Sequence, residues 1–255
     1  MNIRDFSKHA VVTLKRARNL LMPPRPHNVN DRIADDGLSR SVTEQFHLLW
    51  YGSPGSQSMK WMGHPILKNP MDLWLYQEIL YARRPRLLIE TGTHHGGSAL
   101  YFAMVAQMAK FPLDVVTIDF NPKLAYEPAA YHIHSVRGIS TTSNTIDQVK
   151  TIHDRLASEQ SDEPFRAMVV LDSDHSMENV LEELGAYGAF VTNGDFLVVE
   201  DTNVNGHPVM PEHGPGPYEA VEQFLQQHVE FVRDVIGDKL LVTHNPGGWL
   251  RRVDE

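Results

Sequence analysis

Residues 86–98 read Arg-Leu-Leu-Ile-Glu-Thr-Gly-Thr-His-His-Gly-Gly-Ser, and they decide the fold class of this 255-residue chain. The apolar run Arg86–Glu90 is short and ends on a carboxylate, and a glycine-rich turn leads from it into the apolar pattern of Gly96–Lys110. A short apolar run bounded by turn residues is typical of a buried strand. The segment therefore predicts a strand, a loop and a helix in direct succession.

The same alternation continues along the chain. Apolar strands without a period of two, separated by helices, are typical of a parallel sheet that is covered on both faces. Two final strands are expected to form an antiparallel pair, Phe231–Val235 with Leu240–His244. The sequence thus predicts a Rossmann-like α/β fold with a mostly parallel, seven-stranded sheet. The other predicted strands are Asp114–Asp119, His132–Arg137, Arg166–Asp172 and Asp195–Glu200, and the other predicted helices are Pro70–Ala82, Asn144–Glu159, Ser176–Phe190 and Pro217–His228.

Residues 1–68 are interpreted as an N-terminal appendage to a domain of residues 69–255. A helix is expected over Asp5–Met22, and it ends there because the two prolines that follow cannot continue it. Residues 38–68 are rich in aromatic side chains and show no clear period, so irregular structure with short helices is expected there. Packing under a lid or at a subunit contact is favoured for these aromatic residues over a role in binding.

The composition excludes several classes of protein. The formal net charge is −9, which argues against binding to nucleic acid. The absence of cysteine excludes disulfides and thiolate metal sites, and it fits a reducing compartment. No apolar run is long enough to cross a membrane and no secretory signal is visible, so a cytoplasmic protein is expected.

The loop after the first strand indicates a particular ligand. It does not match the dinucleotide pattern G-x-G-x-x-G or the phosphate-binding pattern that ends in G-K-[ST]. An acidic residue followed by Gly92 and Gly96 has the shape of the methyl-donor loop in class I methyltransferases. Glu90 could hold the positive charge of the donor S-adenosylmethionine (SAM), and Asp119 could accept hydrogen bonds from both ribose hydroxyls. Gly96 and Gly97 are expected to let the ligand approach the backbone.

A second group of acidic residues follows two other strands. Asp172, Glu200 and Asp201 are expected to converge at one sheet edge, where they would repel one another unless a cation neutralises them. Oxygen ligands without cysteine favour magnesium, calcium or manganese over zinc. His175 lies beside Asp172 and could accept a proton near neutral pH.

Other functions remain open at this point. A non-haem iron oxygenase would need a second histidine, and His207 and His213 are the candidates. A carboxylate pair at strand ends could also serve a metal-dependent hydrolase, but the nucleophile-elbow motif G-x-S-x-G is not present. A binding module without catalysis would have no use for both the acidic cluster and His175.

The run from Trp61 to Arg251 resembles the cephalosporin hydroxylase / rhamnosyl O-methyltransferase family. No single motif is decisive, but their combination is specific. The matching motifs are Gly63…Lys68-Asn69-Pro70…Asp72, Glu90-Thr91-Gly92…Gly96-Gly97-Ser98, Thr117-Ile118-Asp119, Gly138-Ile139-Ser140, Leu171-Asp172-Ser173-Asp174-His175, Val199-Glu200-Asp201-Thr202, Gly214-Pro215-Gly216-Pro217 and Asn245-Pro246-Gly247-Gly248-Trp249-Leu250.

This resemblance implies a SAM-dependent O-methyltransferase that acts on a hydroxyl of a sugar or glycoside and uses Mg²⁺ or a similar cation such as Mn²⁺. It implies catalytic roles for His175 and Asp172. A homodimer is expected, and the loop Gly206–Pro217 is expected to order over the acceptor. The implied metal ligands are Asp172, Glu200 and Asp201, and the implied donor-binding residues are Glu90, Thr91, Gly92, Thr93, Gly96, Ser98, Asp119, Ser140 and Asp172.

Overall fold

The computed structural model describes residues 37–160 and 164–253, the first five of these as backbone alone. The helix predicted over Asp5–Met22 lies outside the described residues. The chain divides into two units, Met1–Val42 and Thr43–Glu255, and the second unit carries the central sheet. The predicted boundary between an appendage of residues 1–68 and a domain of residues 69–255 stays a prediction.

The central sheet has seven strands in the order β5-β4-β3-β6-β7-β9-β8, where β1 and β2 form a separate hairpin. Five neighbouring strands are parallel, and β9 runs antiparallel to both β7 and β8. The predicted fold class is therefore confirmed. The strands are β1 Lys60–Trp61, β2 His64–Pro65, β3 Leu87–Thr91, β4 Asp114–Asp119, β5 Ile133–Arg137, β6 Ala167–Leu171, β7 Phe196–Val199, β8 Phe231–Arg233 and β9 Trp249–Arg252.

Helices cover both faces of the sheet. Alternate residues of each strand enter two separate cores, as Leu88 and Ile89 of β3 do. Helices α2 and α3 pack on the face of Leu88, and helices α4, α5 and α6 pack on the face of Ile89. The helices are α1 Gly37–Tyr51, α2 Pro70–Arg83, α3 Gly97–Ala109, α4 Ser143–Glu159, α5 Met177–Tyr187 and α6 Pro217–Leu225, and short 3-10 helices span Pro128–Tyr131, Gly188–Phe190 and Val235–Leu240.

Two predictions of local structure are wrong. The partner of β8 is Trp249–Arg252 and not Leu240–His244, because the Asp234 side chain caps a 3-10 helix at Ile236 and Leu241 takes a left-handed conformation that breaks an extended strand. Residues 38–68 are also more regular than expected. They form most of α1 and the β1–β2 hairpin, in which Trp61 packs edge-on against Tyr101 with ring centroids 4.9 Å apart.

The parallel register brings the predicted site residues to one edge of the sheet. Glu90 pairs with Thr117 on one side of β3, and Thr91 pairs with Leu171 on the other. Leu171 in turn pairs with Val199, so that the segments after β6 and β7 begin side by side. Within the described residues, no helix is both long and apolar enough to span a membrane.

Candidate active site

A cavity of about 470 Å³ opens at the carboxyl ends of the parallel strands. This is where ligands bind in open α/β sheets. Most of the predicted donor-binding and metal-binding residues line it. Glu90, Thr91 and Glu200 are not among the lining residues and are buried. The predicted residues that line the cavity are Gly92, Thr93, Gly96, Ser98, Asp119, Ser140, Asp172, His175 and Asp201.

Two glycines of the first loop are required by close contacts within the chain. Gly92 has φ +85°, and a Cβ there would lie 1.7 Å from the carbonyl oxygen of Asp172. A Cβ on Gly97 would lie 2.1 Å from the carbonyl oxygen of Pro65, so Pro65 fills the space that was expected to admit a ligand. Gly92 therefore lets the loop lie directly against the residue that follows β6, and Gly97 lets it lie against the last residue of the hairpin.

Glu90 presents a buried carboxylate at the end of β3. Its Oε2 accepts a hydrogen bond from the Thr117 hydroxyl at 2.8 Å, and Oε1 has no hydrogen-bond partner among the described residues. Burial raises the pKa of Glu90 to about 7, although the positive charge of Lys68 opposes that rise. A cationic group near this carboxylate would satisfy its free oxygen and favour its ionised form.

Asp119 and Ser140 also line the cavity. The Asp119 carboxylate accepts backbone hydrogen bonds from His94 at 2.8 Å and Asn121 at 2.7 Å, which fix its orientation. Ser140 is held through its carbonyl oxygen, which accepts a hydrogen bond from the Tyr187 hydroxyl at 2.6 Å. A carboxylate oxygen can accept more than one hydrogen bond, so Asp119 can still bind ligand hydroxyls.

Asp172, His175 and Asp201 form a compact group that could hold a metal ion. Their ligand atoms lie within 4.8 Å of one another, and His175 Nε2 is 3.5 Å from Asp172 Oδ1 and 3.3 Å from Asp201 Oδ2. Burial alone would lower the pKa of His175, but its contact with Asp172 and the charges of Asp201 and Asp172 raise it to about 9. Without a metal, His175 is therefore protonated near neutral pH.

Lys68 is the residue that sequence reasoning missed. Its buried ammonium group lies 2.6 Å from Asp172 Oδ2 and 3.1 Å from Glu200 Oε1, and thus supplies a positive charge that the acidic cluster needs. Burial would lower the pKa of Lys68, but the charges of Asp172 and Glu200 raise it well above its ordinary value. The motif Lys68-Asn69-Pro70 was noted, but nothing in its spacing pointed to the acidic residues.

Glu200 is placed apart from the metal-binding group. Its carboxylate accepts a hydrogen bond from the Tyr76 hydroxyl and pairs with Lys68. Burial raises the pKa of Glu200 to about 7, against the opposing charge of Lys68. As a metal ligand, Glu200 would have to exchange one of these partners for the ion.

The two loop histidines that could have completed an iron site have other partners. His207 Nε2 lies 2.9 Å from Glu219 Oε1, and its ring stacks on Tyr218 at 4.0 Å. His213 Nδ1 is 3.2 Å from the Gly214 carbonyl oxygen. Within the part of the chain that the structure describes, the candidate metal group holds one histidine and two carboxylates.

Comparison with known proteins places the chain in a family. The family described as rhamnosyl O-methyltransferase/CmcI matches residues 55–253. A rhamnosyl O-methyltransferase of Mycobacterium bovis (strain BCG / Pasteur 1173P2) is 38% identical over 219 residues, which cover 84% of this chain and 86% of that protein. One of Mycobacterium leprae (strain TN) is 40% identical over 202 residues, which cover 78% and 85% of the two chains.

A solved structure described as "cmcI-D160 Mg-SAM" has the same fold. It superposes with a TM-score of 0.58 at 19% identity, over 92% of this chain and 89% of that one. This likeness confirms the predicted class I methyltransferase fold. The family match and the two mycobacterial relatives together show that the chain belongs to the rhamnosyl O-methyltransferase/CmcI family.

Proposed function

We propose that this protein transfers the methyl group of SAM to a hydroxyl of a sugar or glycoside, with a divalent cation, most simply Mg²⁺, in the active site. One observation carries the proposal: a single cavity joins the donor-type loop with Asp119 to the group of Asp172, His175 and Asp201. The names of the relatives, rhamnosyl O-methyltransferase, support a sugar acceptor.

The residues around the first loop fit the donor. SAM supplies an electrophilic methyl group and carries a cationic ammonium group. Glu90 offers a buried carboxylate oxygen without a partner among the described residues, and Asp119 and Ser140 line the cavity. We assign the ammonium group to the neighbourhood of Glu90 and the ribose hydroxyls to Asp119. Thr91, Thr93 and Ser98 would shape the loop between them.

The acidic group fits a hard divalent cation. Asp172 and Asp201 offer oxygen ligands, and Glu200 is the proposed third carboxylate. A divalent cation supplies Lewis-acid chemistry, which makes a sugar hydroxyl more acidic. Lys68 reduces the net negative charge around Asp172 and Glu200, which keeps these carboxylates in place before any ligand binds.

His175 is the proposed general base. It lies 3.5 Å from Asp172 and 3.3 Å from Asp201, and it lines the cavity that would hold the donor. The charges of these two carboxylates stabilise the protonated form of His175. His175 must lose that proton before it can act as a base. Neutralising Asp172 and Asp201 would lower its pKa and leave the neutral imidazole that base catalysis requires.

An oxygenase is not favoured. A non-haem iron site of the common type uses two histidines and one carboxylate, whereas the candidate group here has one histidine and two carboxylates among the described residues. A cytoplasmic location, a homodimer and closure of the Gly206–Pro217 loop over the acceptor stay predictions.

Calorimetric titration tests the donor site directly. Metal-stripped protein is titrated with SAM and with S-adenosylhomocysteine, and both titrations are repeated with Mg²⁺. We expect micromolar binding of at least the product, weakened strongly in Asp119→Asn. The absence of binding of either compound under all these conditions would remove the methyltransferase proposal.

A further inference from the structure

The two oxygens of Asp201 face two different histidines. Oδ2 lies 3.3 Å from His175 Nε2, on the side of the donor cavity. Oδ1 lies 3.8 Å from His244 Nδ1, too far for a hydrogen bond. His244 is not among the residues that line the donor cavity. Asp201 therefore separates the donor cavity from a second group of side chains.

Tyr51, the last residue of α1, belongs to this second group. Its ring meets the ring of His244 edge-on at 5.5 Å, and its hydroxyl donates to the sulfur of Met210 at 3.3 Å. A thioether sulfur is a weak acceptor, so the Tyr51 hydroxyl can form a stronger hydrogen bond with a ligand. Met210 belongs to the Gly206–Pro217 loop, so this loop also contacts Tyr51.

Buried contacts fix the position of His244 in this group. The His47 ring stacks on His244 with centroids 5.4 Å apart and planes 8° apart, and its Nε2 lies 2.9 Å from Asn203 Nδ2. The His244 backbone N–H donates to Asp72 at 2.8 Å. His47 and His244 are both buried, and His244 Nε2 has no hydrogen-bond partner among the described residues. Side chains supported in this way can orient a ligand.

We propose that Tyr51 and Met210 form the subsite for the acceptor glycoside, that the buried His244 positions the Tyr51 ring, and that Tyr51 is a residue that determines acceptor specificity. The inference rests on the proposed function. A sugar ring presents an apolar C–H face and a rim of hydroxyls, and Tyr51 offers an apolar ring with one hydroxyl at its end. A sugar bound here would lie next to Asp201, so that one of its hydroxyls could extend past that carboxylate to His175 and the donor cavity. Residues 43–51 then belong to the active site and not to an appendage.

The experiment measures methyl transfer from labelled SAM to 4-nitrophenyl α-L-rhamnopyranoside, with calorimetry of SAM binding on the same samples. Tyr51→Phe removes only the hydroxyl, and Tyr51→Ala removes the ring. We expect Tyr51→Phe to raise KM for the rhamnoside about fivefold, which is the effect of losing one hydrogen bond. Tyr51→Ala should raise it further, and the Kd for SAM and the melting temperature of Tyr51→Phe should not change.

Tyr81→Phe and Tyr81→Ala are matched controls, because Tyr81 is exposed and lies outside the site.

The possible failures are distinguishable. A KM for the rhamnoside that is unchanged in both Tyr51 variants overturns the subsite and leaves the proposed function intact. A Kd for SAM that rises together with KM in Tyr51→Phe also overturns it, since Tyr51 would then act on the whole site. Wild-type protein that binds SAM yet methylates no rhamnoside or related glycoside contradicts the acceptor class and the subsite together.

Discussion

The ammonium nitrogen of Lys68 lies 2.6 Å from Oδ2 of Asp172, although the two residues are 104 positions apart in the chain. Lys68 precedes helix α2, whereas Asp172 follows strand β6. The contact ties the helix before the first parallel strand to the centre of the candidate active site. It also means that the acidic cluster keeps an internal positive charge whether or not a metal is bound.

Lys68→Met should destabilise the protein strongly. It leaves Asp172 and Glu200 buried without their ammonium partner, and breaking a buried ion pair costs roughly 3–5 kcal/mol. Lys239→Met is the matched control, because Lys239 pairs with Glu78 at the surface and such pairs contribute at most about 1 kcal/mol. Thermal unfolding measures both variants, and Mg²⁺ should restore part of the loss in Lys68→Met. Equal losses in the two variants would contradict the role given to Lys68.

His175→Asn should lower turnover strongly while SAM still binds. A general base contributes roughly 10²–10⁴-fold to the rate, so a loss of that size is expected in kcat. His153→Asn provides the control, because His153 pairs with Asp154 on helix α4, away from the cavity. Calorimetry of SAM binding accompanies the rate measurement. Loss of SAM binding in His175→Asn would show a role in donor binding and refute the base.

The metal-free protein should lose stability as the pH rises from 6 to about 9. Burial raises the pKa values of Glu90 and Glu200 from 4.5 to about 7, so the folded state binds their protons more tightly than the unfolded state does. Their contribution to stability declines as the pH rises through that range. The contacts of His175 raise its pKa from 6.5 to about 9, and the stability due to its charge is lost as the pH rises through that window.

Thermal unfolding in EDTA at pH 6 and pH 9 checks this expectation. Each kcal/mol lost lowers the melting temperature by roughly 2–4 °C in a domain of this size. With Mg²⁺ the decline should be smaller, because the cation favours ionised carboxylates. A melting temperature that rises with pH in EDTA would contradict the raised pKa values of Glu90, Glu200 and His175.

Asp201→Asn should weaken Mg²⁺ binding more than Glu200→Gln does. The Asp201 carboxylate lies in the metal-binding group, whereas Glu200 contacts Lys68 and Tyr76. We expect at least a tenfold rise in the Kd for Mg²⁺ in Asp201→Asn, measured by calorimetry. Asp119→Asn should weaken SAM binding and leave Mg²⁺ binding unchanged. A larger effect in Glu200→Gln would contradict this order and make Glu200 a stronger ligand of the ion than Asp201.

Much of the fold and part of the site could be predicted because both depend on local pattern and strand polarity. Apolar strands between helices predict a parallel sheet, and parallel strands bring their carboxyl ends to one edge. The residues after β3, β4, β6 and β7 therefore had to lie close together. Strand polarity alone therefore predicts that Asp119, Asp172 and Asp201 lie close together, and in the structure all three line the same cavity.

The remaining features depend on long-range packing. Lys68 and Tyr51 reach the site from segments that precede the sheet, and no spacing in the sequence connects them to Asp172 or Asp201. The final strand was misplaced because Leu240–His244 looks more apolar than Trp249–Arg252, whose arginines are polar. In the structure, Arg251 pairs with Asp234 at 2.8 Å, which makes a strand with charged residues stable at that position.

The most direct test of the proposed function is transfer of a labelled methyl group from SAM to a rhamnoside, measured with Mg²⁺ and again with EDTA. We predict a labelled methyl ether of the sugar with Mg²⁺, almost none with EDTA, and a rate lower by at least about a hundredfold in His175→Asn with Mg²⁺. Protein that binds SAM but labels no rhamnoside or related glycoside with any divalent metal would contradict the proposed function.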